Sequence, residues 1–214
     1  MRPAHATLDH LVVAADTLGN GEDYLESVLG VRPQRGGKHA AMGTHNSLLK
    51  LGERCFLEVI AIDPDAAAPP RPRWFDLDRP AIRALLAQRP RLIHWVARTD
   101  DIETASRASP IDPGPVHTMS RGSFRWRITI PDDGSRPGAG VLPTLIQWED
   151  ARHPADDMPD AGVRIAALAA AHPEPASMRA VLGALGLSET LKVTFDAAAR
   201  LAAMLSTRRG TVTL

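Results

Sequence analysis

Four polar side chains lie within otherwise apolar segments of the sequence: His10, Glu58, His94 and Gln147. The interval from His10 to Glu58 is similar to the interval from His94 to Gln147, which indicates that the chain repeats one structural unit. Two imidazoles, a carboxylate and an amide oxygen are donors that a divalent transition metal accepts. If the two units face each other, the sequence predicts a divalent metal site at these four residues, with open positions for water or substrate.

Glu58 needs a positive partner, because an unpaired carboxylate in an apolar strand loses much of its hydration free energy. The partner is either the metal ion or an arginine such as Arg125 or Arg127. These two arginines alternate along one segment, so their side chains point the same way along a strand. They either clamp a substrate carboxylate or lie on a solvated face.

A second group of polar residues also matches across the repeat. His39 and His117 fall near the second strand of each unit, and imidazole titrates near neutral pH. We expect one of them to act as a general acid or base or to bind substrate; the alternative is a hydrogen-bonded surface histidine. His45 and Asn46 lie close to His39 in sequence and are expected to contact substrate oxygens.

The elements that must position these residues follow a β-α-β-β-β order in the first part of the chain. An apolar face between Tyr24 and Leu29 predicts a helix that Asp16 or Thr17 caps and Gly30 ends. Short apolar or alternating segments predict the strands around it. The predicted elements are a strand at 8–15, a helix at 22–29 and strands at 39–44, 47–51 and 55–62.

The same order returns after a proline-rich connection, and a third block looks like a partial copy. The connection contains a predicted helix at 79–88, and the second unit has a strand at 92–97, a helix at 100–106 and strands at 123–130 and 143–149. The third block has a predicted strand at 163–169, a helix at 177–185 and strands near 191–195, 203–206 and 211–214; its alanine-rich run at 197–203 also suits a helix. The expected divisions are a first module (1–63), a linker with a short helix (64–90), a second module (91–152) and a C-terminal α/β extension (153–214).

Three segments resemble the vicinal-oxygen-chelate superfamily, and a fourth resembles its glyoxalase-like domain subgroup. The first three are Leu8–Ala14, the helix end at Leu29-Gly30-Val31 and Phe56–Ile60; the fourth is the stretch from Gly36 to Asn46. The resemblance covers roughly residues 8–150. It implies an α+β fold of paired βαβββ modules, of the glyoxalase/bleomycin-resistance/dioxygenase type, with a C-terminal partial-module extension.

The same resemblance implies metal ligands at His10, Glu58 and His94, with Gln147 where many relatives have glutamate. The expected function is that of a metal-dependent lyase or isomerase acting on a small oxygenated organic molecule. The ion, zinc, nickel, manganese or iron, would then stabilise an enolate-like intermediate. Ferrous iron would suit ring cleavage instead, as in a dioxygenase. The alternatives are a non-catalytic, resistance-type binding protein and a purely structural dimerisation unit.

Charge balance, the absence of two motifs and the single cysteine disfavour several other classes of function. Lys and Arg together number 25, as do Asp and Glu, so no electrostatic footprint for nucleic acid is expected. Neither a glycine-rich phosphate loop nor a Gly-x-Ser-x-Gly motif occurs, which disfavours nucleotide-dependent hydride transfer and serine hydrolysis. The single cysteine, Cys55, is expected to be a buried thiol and not a nucleophile. No membrane-spanning segment is expected, and the resulting expectation is a cytoplasmic protein that binds a small molecule, with a homodimer possible by analogy.

Overall fold

The computed structural model describes residues 5–214, which form twelve strands in two sheets and four α-helices. The strands are β1 (Ala6–Ala14), β2 (Gln34–His39), β3 (Thr44–Gly52), β4 (Cys55–Ile62), β5 (Arg91–Thr99), β6 (Val116–Arg121), β7 (Phe124–Thr129), β8 (Thr144–Trp148), β9 (Arg164–His172), β10 (Lys192–Phe195), β11 (Arg200–Thr207) and β12 (Gly210–Thr213). The helices are α1 (Leu18–Leu29), α2 (Pro80–Leu86), α3 (Ile102–Ala108) and α4 (Pro175–Ala184). None of these helices is long and apolar enough to cross a membrane.

The main sheet consists of two βαβββ modules joined side by side. Its strand order is β2-β3-β4-β1-β5-β8-β7-β6. In each module the first strand runs parallel to the last, and the modules meet where β1 and β5 pair antiparallel. This arrangement confirms the predicted α+β fold of paired modules.

The pairing register shows which residues of the two modules are equivalent. Glu58 of β4 lies beside Val12, which is two residues after His10. Thr144 of β8 lies beside Val96, which is two residues after His94. His10 and His94 are therefore equivalent, and Thr144 occupies the position that corresponds to Glu58.

A β-bulge interrupts the first strand of each module at equivalent positions. Leu8 and His10 face consecutive residues of β5, so Asp9 is an extra residue without a partner on that strand. In the second module the same irregularity leaves Ile93 as the extra residue. A bulge breaks the strict alternation of side chains and re-aims the residue that it contains. Asp9 thereby reaches the same side of the sheet as His10.

Helix α1 covers one face of the first module; it has the predicted caps but begins at Leu18, four residues before the predicted start. Its N-cap is Thr17, whose hydroxyl oxygen accepts a hydrogen bond from the backbone N–H of Asn20 at 3.2 Å. Gly30 ends the helix in the left-handed conformation, with φ of 75°. The buried Glu22 carboxylate accepts hydrogen bonds from the Ser47 hydroxyl and the Arg35 guanidinium, which fixes the helix against β2 and β3.

Strand β2 lies earlier in the chain than the predicted strand at 39–44. The pair Gly36-Gly37 lies inside β2, at a bulge where Arg35 pairs with Ser47 and Lys38 with His45. The sequence pattern indicates a connection at this pair, because glycine usually interrupts strands. The predicted strand region instead contains a short 3-10 turn at Ala40–Met42.

The C-terminal extension forms its own four-stranded sheet, in the order β10-β9-β11-β12. It repeats the β-α-β-β-β order of elements, but here the first strand pairs with the strand that directly follows the helix. The alanine-rich run leads into strand β11 and is not helical. Buried residues of α4, β9 and β11 share one apolar core with α1 and the main sheet. The extension is therefore part of the same cooperative structure.

Neighbouring residues of β11 test this shared core. Leu205 is fully buried, whereas the adjacent Met204 is exposed on the opposite face. We expect Leu205→Ala to lower the free energy of unfolding by about 2–5 kcal/mol, because it leaves a cavity in the core. Met204→Ala should change it by less than about 0.5 kcal/mol. Urea denaturation should show one transition for both variants; a separate early transition for Leu205→Ala would contradict a shared core.

Candidate functional site

A small cavity of about 40 Å³ opens on the face of the main sheet opposite α1 and α3; we call it the first cavity. Polar groups gather on one side of it, and aromatic rings form most of the rest. Its lining residues are His10, His39, Asn46, Phe56, Glu58, Trp74, Phe75, Arg121, Trp126, Ile128, Ile146 and Trp148. Both modules contribute, so the fold brings polar residues from distant parts of the chain together.

A buried carboxylate, Asp9, lies behind this cavity and accepts hydrogen bonds from three side chains. His10 Nδ1 lies 2.6 Å from Asp9 Oδ1, while Trp148 Nε1 and His153 Nε2 lie 2.9 Å and 3.1 Å from Asp9 Oδ2. Burial alone would raise the pKa of Asp9, but the hydrogen bonds from His10 and His153 hold it well below its usual range. Asp9 is therefore an ionised acceptor in the folded protein.

This carboxylate orients the imidazole of His10. Because an ionised Asp9 can only accept, His10 Nδ1 carries a proton, and in the neutral ring Nε2 presents its lone pair to the cavity. His10 Nε2 faces Glu58 Oε2 at 3.8 Å, and the imidazole stacks on Phe56 with a centroid distance of 4.4 Å. A base held in one tautomer, opposite a carboxylate, is suited to moving a proton on a bound molecule.

A chain of hydrogen bonds connects Glu58 to a guanidinium. Asn46 Nδ2 donates to Glu58 Oε1 at 2.6 Å, and Arg121 Nη1 donates to Asn46 Oδ1 at 2.9 Å. The backbone N–H of Gly37 donates to the same oxygen at 2.9 Å. Two donors on Oδ1 fix the orientation of the Asn46 amide, so its N–H₂ group must face Glu58. The cation linked to Glu58 is thus Arg121, and neither Arg125 nor Arg127, which the sequence suggested.

The two glycines of the β2 bulge make this close approach possible. A Cβ atom on Gly36 would lie 2.2 Å from Asn46 Oδ1, and one on Gly37 would lie 2.7 Å from Arg121 Cδ. Neither distance is compatible with a side chain at that position. The Gly36-Gly37 pair therefore lets an arginine of the second module reach an asparagine of the first.

His39 lines the cavity as a neutral hydrogen-bonding group. Its Nδ1 lies 3.1 Å from the Thr44 hydroxyl oxygen, and its Nε2 faces Asn46 and Arg121. Burial, and then the nearby Arg121 charge, lower the pKa of His39 to about 3. An imidazole with so low a pKa is a weak base, so His39 is better suited to accepting a hydrogen bond than to the predicted acid–base role.

His94, the equivalent of His10, is closed off from the cavity. Its Nε2 accepts the backbone N–H of Thr144 at 3.2 Å and lies 2.9 Å from the Thr144 hydroxyl. The ring of Phe75 covers it at a centroid distance of 5.0 Å. Burial, and then Arg136, lower the pKa of His94 well below its usual value. The nitrogen that would bind a metal is already used within the fold.

Gln147 lies on the opposite face of the sheet from His10. Its side-chain oxygen accepts the backbone N–H of Ile102 at 3.0 Å, at the start of α3. On β8 the cavity face carries Ile146 and Trp148. The sequence pattern matches Gln147 with Glu58 across the repeat. The strand register corrects this match, because it places Thr144 at the position equivalent to Glu58.

These placements decide whether the predicted divalent metal fits. Only His10 Nε2 and Glu58 Oε2 face each other in the cavity, whereas a catalytic zinc site has three protein ligands. Within residues 5–214, no group of three or more His, Cys, Asp or Glu side chains is arranged to hold a metal ion. A guanidinium nearby further disfavours a divalent cation. The donor set therefore does not fit the predicted four-ligand ion.

The remaining predicted site residues lie outside the first cavity. His117 Nε2 lies 2.7 Å from Arg71 Nη1, and His45 faces Asp63. Arg127 pairs with a glutamate of α3, and Arg125 is exposed. Of the predicted substrate-binding residues, Asn46 alone lines the cavity.

Several residues of the site were not predicted from the sequence. Asp9 stands beside His10 in an apolar strand. A carboxylate at such a position is the sequence signal that could have identified it as a site residue. Trp74 and Phe75 come from the predicted linker, where Phe75 has φ of 62°, a strained conformation for a residue other than glycine. No local sequence signal marks Arg121 or His153, because their contacts depend on the pairing of distant segments.

Comparison with known proteins shows the family. The glyoxalase-like domain family matches residues 8–186, so the chain belongs to this family and, with it, to the vicinal-oxygen-chelate superfamily. Members of this superfamily commonly use divalent metals. The match extends beyond the second module into the C-terminal extension. No curated protein is similar enough to count as a match.

Solved structures resemble this chain at low sequence identity. A hypothetical protein from Staphylococcus aureus is 14% identical, with a TM-score of 0.55, over 97% of this chain and 84% of that chain. Methylmalonyl-CoA epimerase from Mycobacterium tuberculosis is 18% identical, with a TM-score of 0.42, over 71% of this chain and 93% of that chain. The Streptomyces coelicolor epimerase in complex with 2-nitronate-propionyl-CoA is 17% identical, with a TM-score of 0.42, over 69% of this chain and 99% of that chain. At this identity the likeness concerns the fold alone.

The lowered pKa values of His39 and His94 predict how stability depends on pH. Above about pH 6.5 both imidazoles are neutral in the folded and unfolded states. Below it the unfolded chain takes up protons that the folded protein does not, so stability falls as the pH falls, by up to about 1.4 kcal/mol per pH unit for each histidine. His39→Gln should reduce this slope between about pH 6 and pH 4.5 in urea titrations. Equal slopes for both proteins would contradict a neutral, buried His39.

Proposed function

We propose that the protein is a small-molecule enzyme of the isomerase or lyase type that moves a proton on an oxygenated organic acid. The observation that carries this proposal is the alignment of Asp9, His10 and Glu58, in which a carboxylate-backed imidazole faces a second carboxylate at 3.8 Å. Such a pair can take a proton from one position of a ligand and return it at another.

His10 is the proposed base because its lone pair faces the cavity. In the reaction, His10 Nε2 would take a proton from the carbon beside a carbonyl or carboxylate, and the electron pair would move onto the oxygen. Asp9 then stabilises the imidazolium, in the manner of the aspartate in a catalytic triad. Returning the proton to a different carbon, or to the other face of the same carbon, completes an isomerisation. Loss of a leaving group from the neighbouring carbon would give a lyase.

Arg121 is the proposed holder of the developing oxyanion, and Asn46 positions its guanidinium. Arg121 has no carboxylate within 4.0 Å in the described part of the chain, although it is largely buried. Burial lowers the pKa of Arg121, while Glu58 raises it. A desolvated guanidinium with free N–H groups is a strong and directional binding group for carboxylate and enolate oxygens.

The aromatic lining supports chemistry in a dry site. Trp74 stacks on Phe75 with a centroid distance of 5.3 Å, and Trp126 packs on Trp148 at 5.5 Å. Rings on several sides exclude water, which strengthens the electrostatic interactions within the cavity. The same rings also suit a protein that only binds a planar or apolar ligand. A non-catalytic binding protein is therefore the second candidate.

Hydrogen–deuterium exchange provides the test. Chelator-treated protein is incubated in D₂O with pyruvate and 2-oxobutyrate, and the loss of the proton signal beside the carbonyl is followed by NMR. We expect exchange in the wild type and a decrease of roughly 10²-fold or more for His10→Gln, because the base is removed. Asp9→Asn should also slow exchange, because an amide can place the imidazole in the wrong tautomer.

The control is His172→Gln, a histidine of β9 that does not line the cavity. This variant should exchange at the wild-type rate. Binding of the acids without any exchange would favour the binding protein over the enzyme. Exchange that appears only after a divalent metal is added would contradict the proposed metal-free proton transfer.

A further inference from the structure

Arg121 separates the first cavity from a larger one. The second cavity has a volume of about 340 Å³ and lies between the edge strands of the two modules and the segment that follows β8. Arg121 lines both cavities. The Gly36-Gly37 bulge, which admits the Arg121 side chain, also contributes Gly36 to the wall of the second cavity. The two cavities therefore meet at one guanidinium.

The floor of the second cavity is apolar and continues to the proposed base. Leu48 and Phe56 form a small apolar cluster with Ala155, and Met158 packs against it, separate from the two main cores. Leu48 and Met158 line the second cavity, while Phe56 lines the first and stacks on His10. An apolar path thus runs from the imidazole of His10 to Met158.

A second contact joins the two cavities on the opposite wall. Phe124 lines the second cavity and contacts Trp148 of the first edge to face, with a centroid distance of 6.1 Å. The guanidinium of Arg152 lies over the outer side of the Phe124 ring at 4.9 Å. Aromatic surface therefore lines this side of the passage as well.

The charges around the second cavity are neutralised within the protein, apart from Arg121. Asp157 pairs with Arg152 at 2.5 Å, and Arg35 pairs with the buried Glu22 at 2.8 Å. Arg121 has no acidic partner within 4.0 Å in residues 5–214. A ligand that spans the junction meets one free cation beside a largely apolar surface. This pattern matches an anionic head with an apolar tail.

We infer that the two cavities form one bipartite site for a carboxylic acid that carries an apolar chain of several carbons. The carboxylate binds Arg121 at the junction, the carbons next to it face His10 and Glu58, and the chain lies over Leu48 and Met158. The inference rests on the proposed function for the role of His10, but the binding of the chain does not require catalysis. The inferred substrates are therefore medium-chain carboxylic acids and not the shortest ones.

Binding of a series of straight-chain acids tests the inference. Acetate, butyrate, hexanoate and octanoate are titrated against the protein, and tryptophan fluorescence is measured because Trp126 and Trp148 line the first cavity. Affinity should rise about two- to fourfold for each added CH₂ group, since each one leaves water for an apolar surface. Equal affinity for acetate and octanoate would overturn the bipartite site.

Two variants separate the head from the tail. Met158→Glu should abolish the rise in affinity with chain length, because it places a charge on the apolar floor. Arg121→Gln should weaken all four acids by a similar factor. The control is Met204→Glu, on the exposed face of β11, which should bind like the wild type. An unchanged chain-length dependence in Met158→Glu would overturn the assignment of the tail.

The same data distinguish this inference from the proposed function. If longer acids bind more tightly but His10→Gln exchanges protons as fast as the wild type, the enzyme proposal fails and the bipartite site stands. If exchange depends on His10 but affinity does not depend on chain length, the bipartite site fails and the enzyme proposal stands.

Discussion

The buried charge of Asp9 determines how the whole site is arranged. An ionised carboxylate without water is costly, and here three side-chain donors offset that cost: His10, Trp148 and His153. The three come from β1, from β8 and from the segment after β8. Trp148 and His153 therefore tie the end of the second module and the segment after it to the start of the first module. The orientation of the imidazole at the cavity follows from this arrangement.

The two modules have the same fold but have kept different chemistry. At equivalent positions the first has Asp9, His10 and Glu58, and the second has Ile93, His94 and Thr144. In the second module the histidine Nε2 is bonded to Thr144 and the ring is buried under Phe75, so this histidine supports packing. The second module supplies the functional site with Arg121 and with aromatic walls instead. The duplicated fold thus yields a single, asymmetric site.

Much of the fold and part of the site followed from the sequence. Apolar segments and helix caps predicted the strands and helices, and the repeat of polar residues predicted two paired modules. Of the four residues expected to converge, the structure brings His10 and Glu58 together, and Asn46 lies beside Glu58. Arg121 was not found, because it lies at the end of β6 and reaches the cavity only through the contact with Gly37.

The sequence did not show where Asp9 and Gln147 point, and the physical cause is the same for both: the register between strands. The bulge at Asp9 breaks the alternation from which side-chain direction is inferred. Strand β8 is buried on both faces at its start, so its apolar pattern does not show which face carries Gln147. Tertiary pairing sets both features, and the local sequence does not reveal them.

The tautomer of His10 provides the sharpest test of whether Asp9 orients the imidazole. Long-range ¹H–¹⁵N NMR of imidazole-labelled protein, under conditions where the ring is neutral, distinguishes a protonated Nδ1 from a protonated Nε2. We predict that the proton is on Nδ1 in the wild type and moves to Nε2 in Asp9→Asn, whose amide would donate to Nδ1. A wild-type His10 with the proton on Nε2 would contradict the account, because no lone pair would then face Glu58.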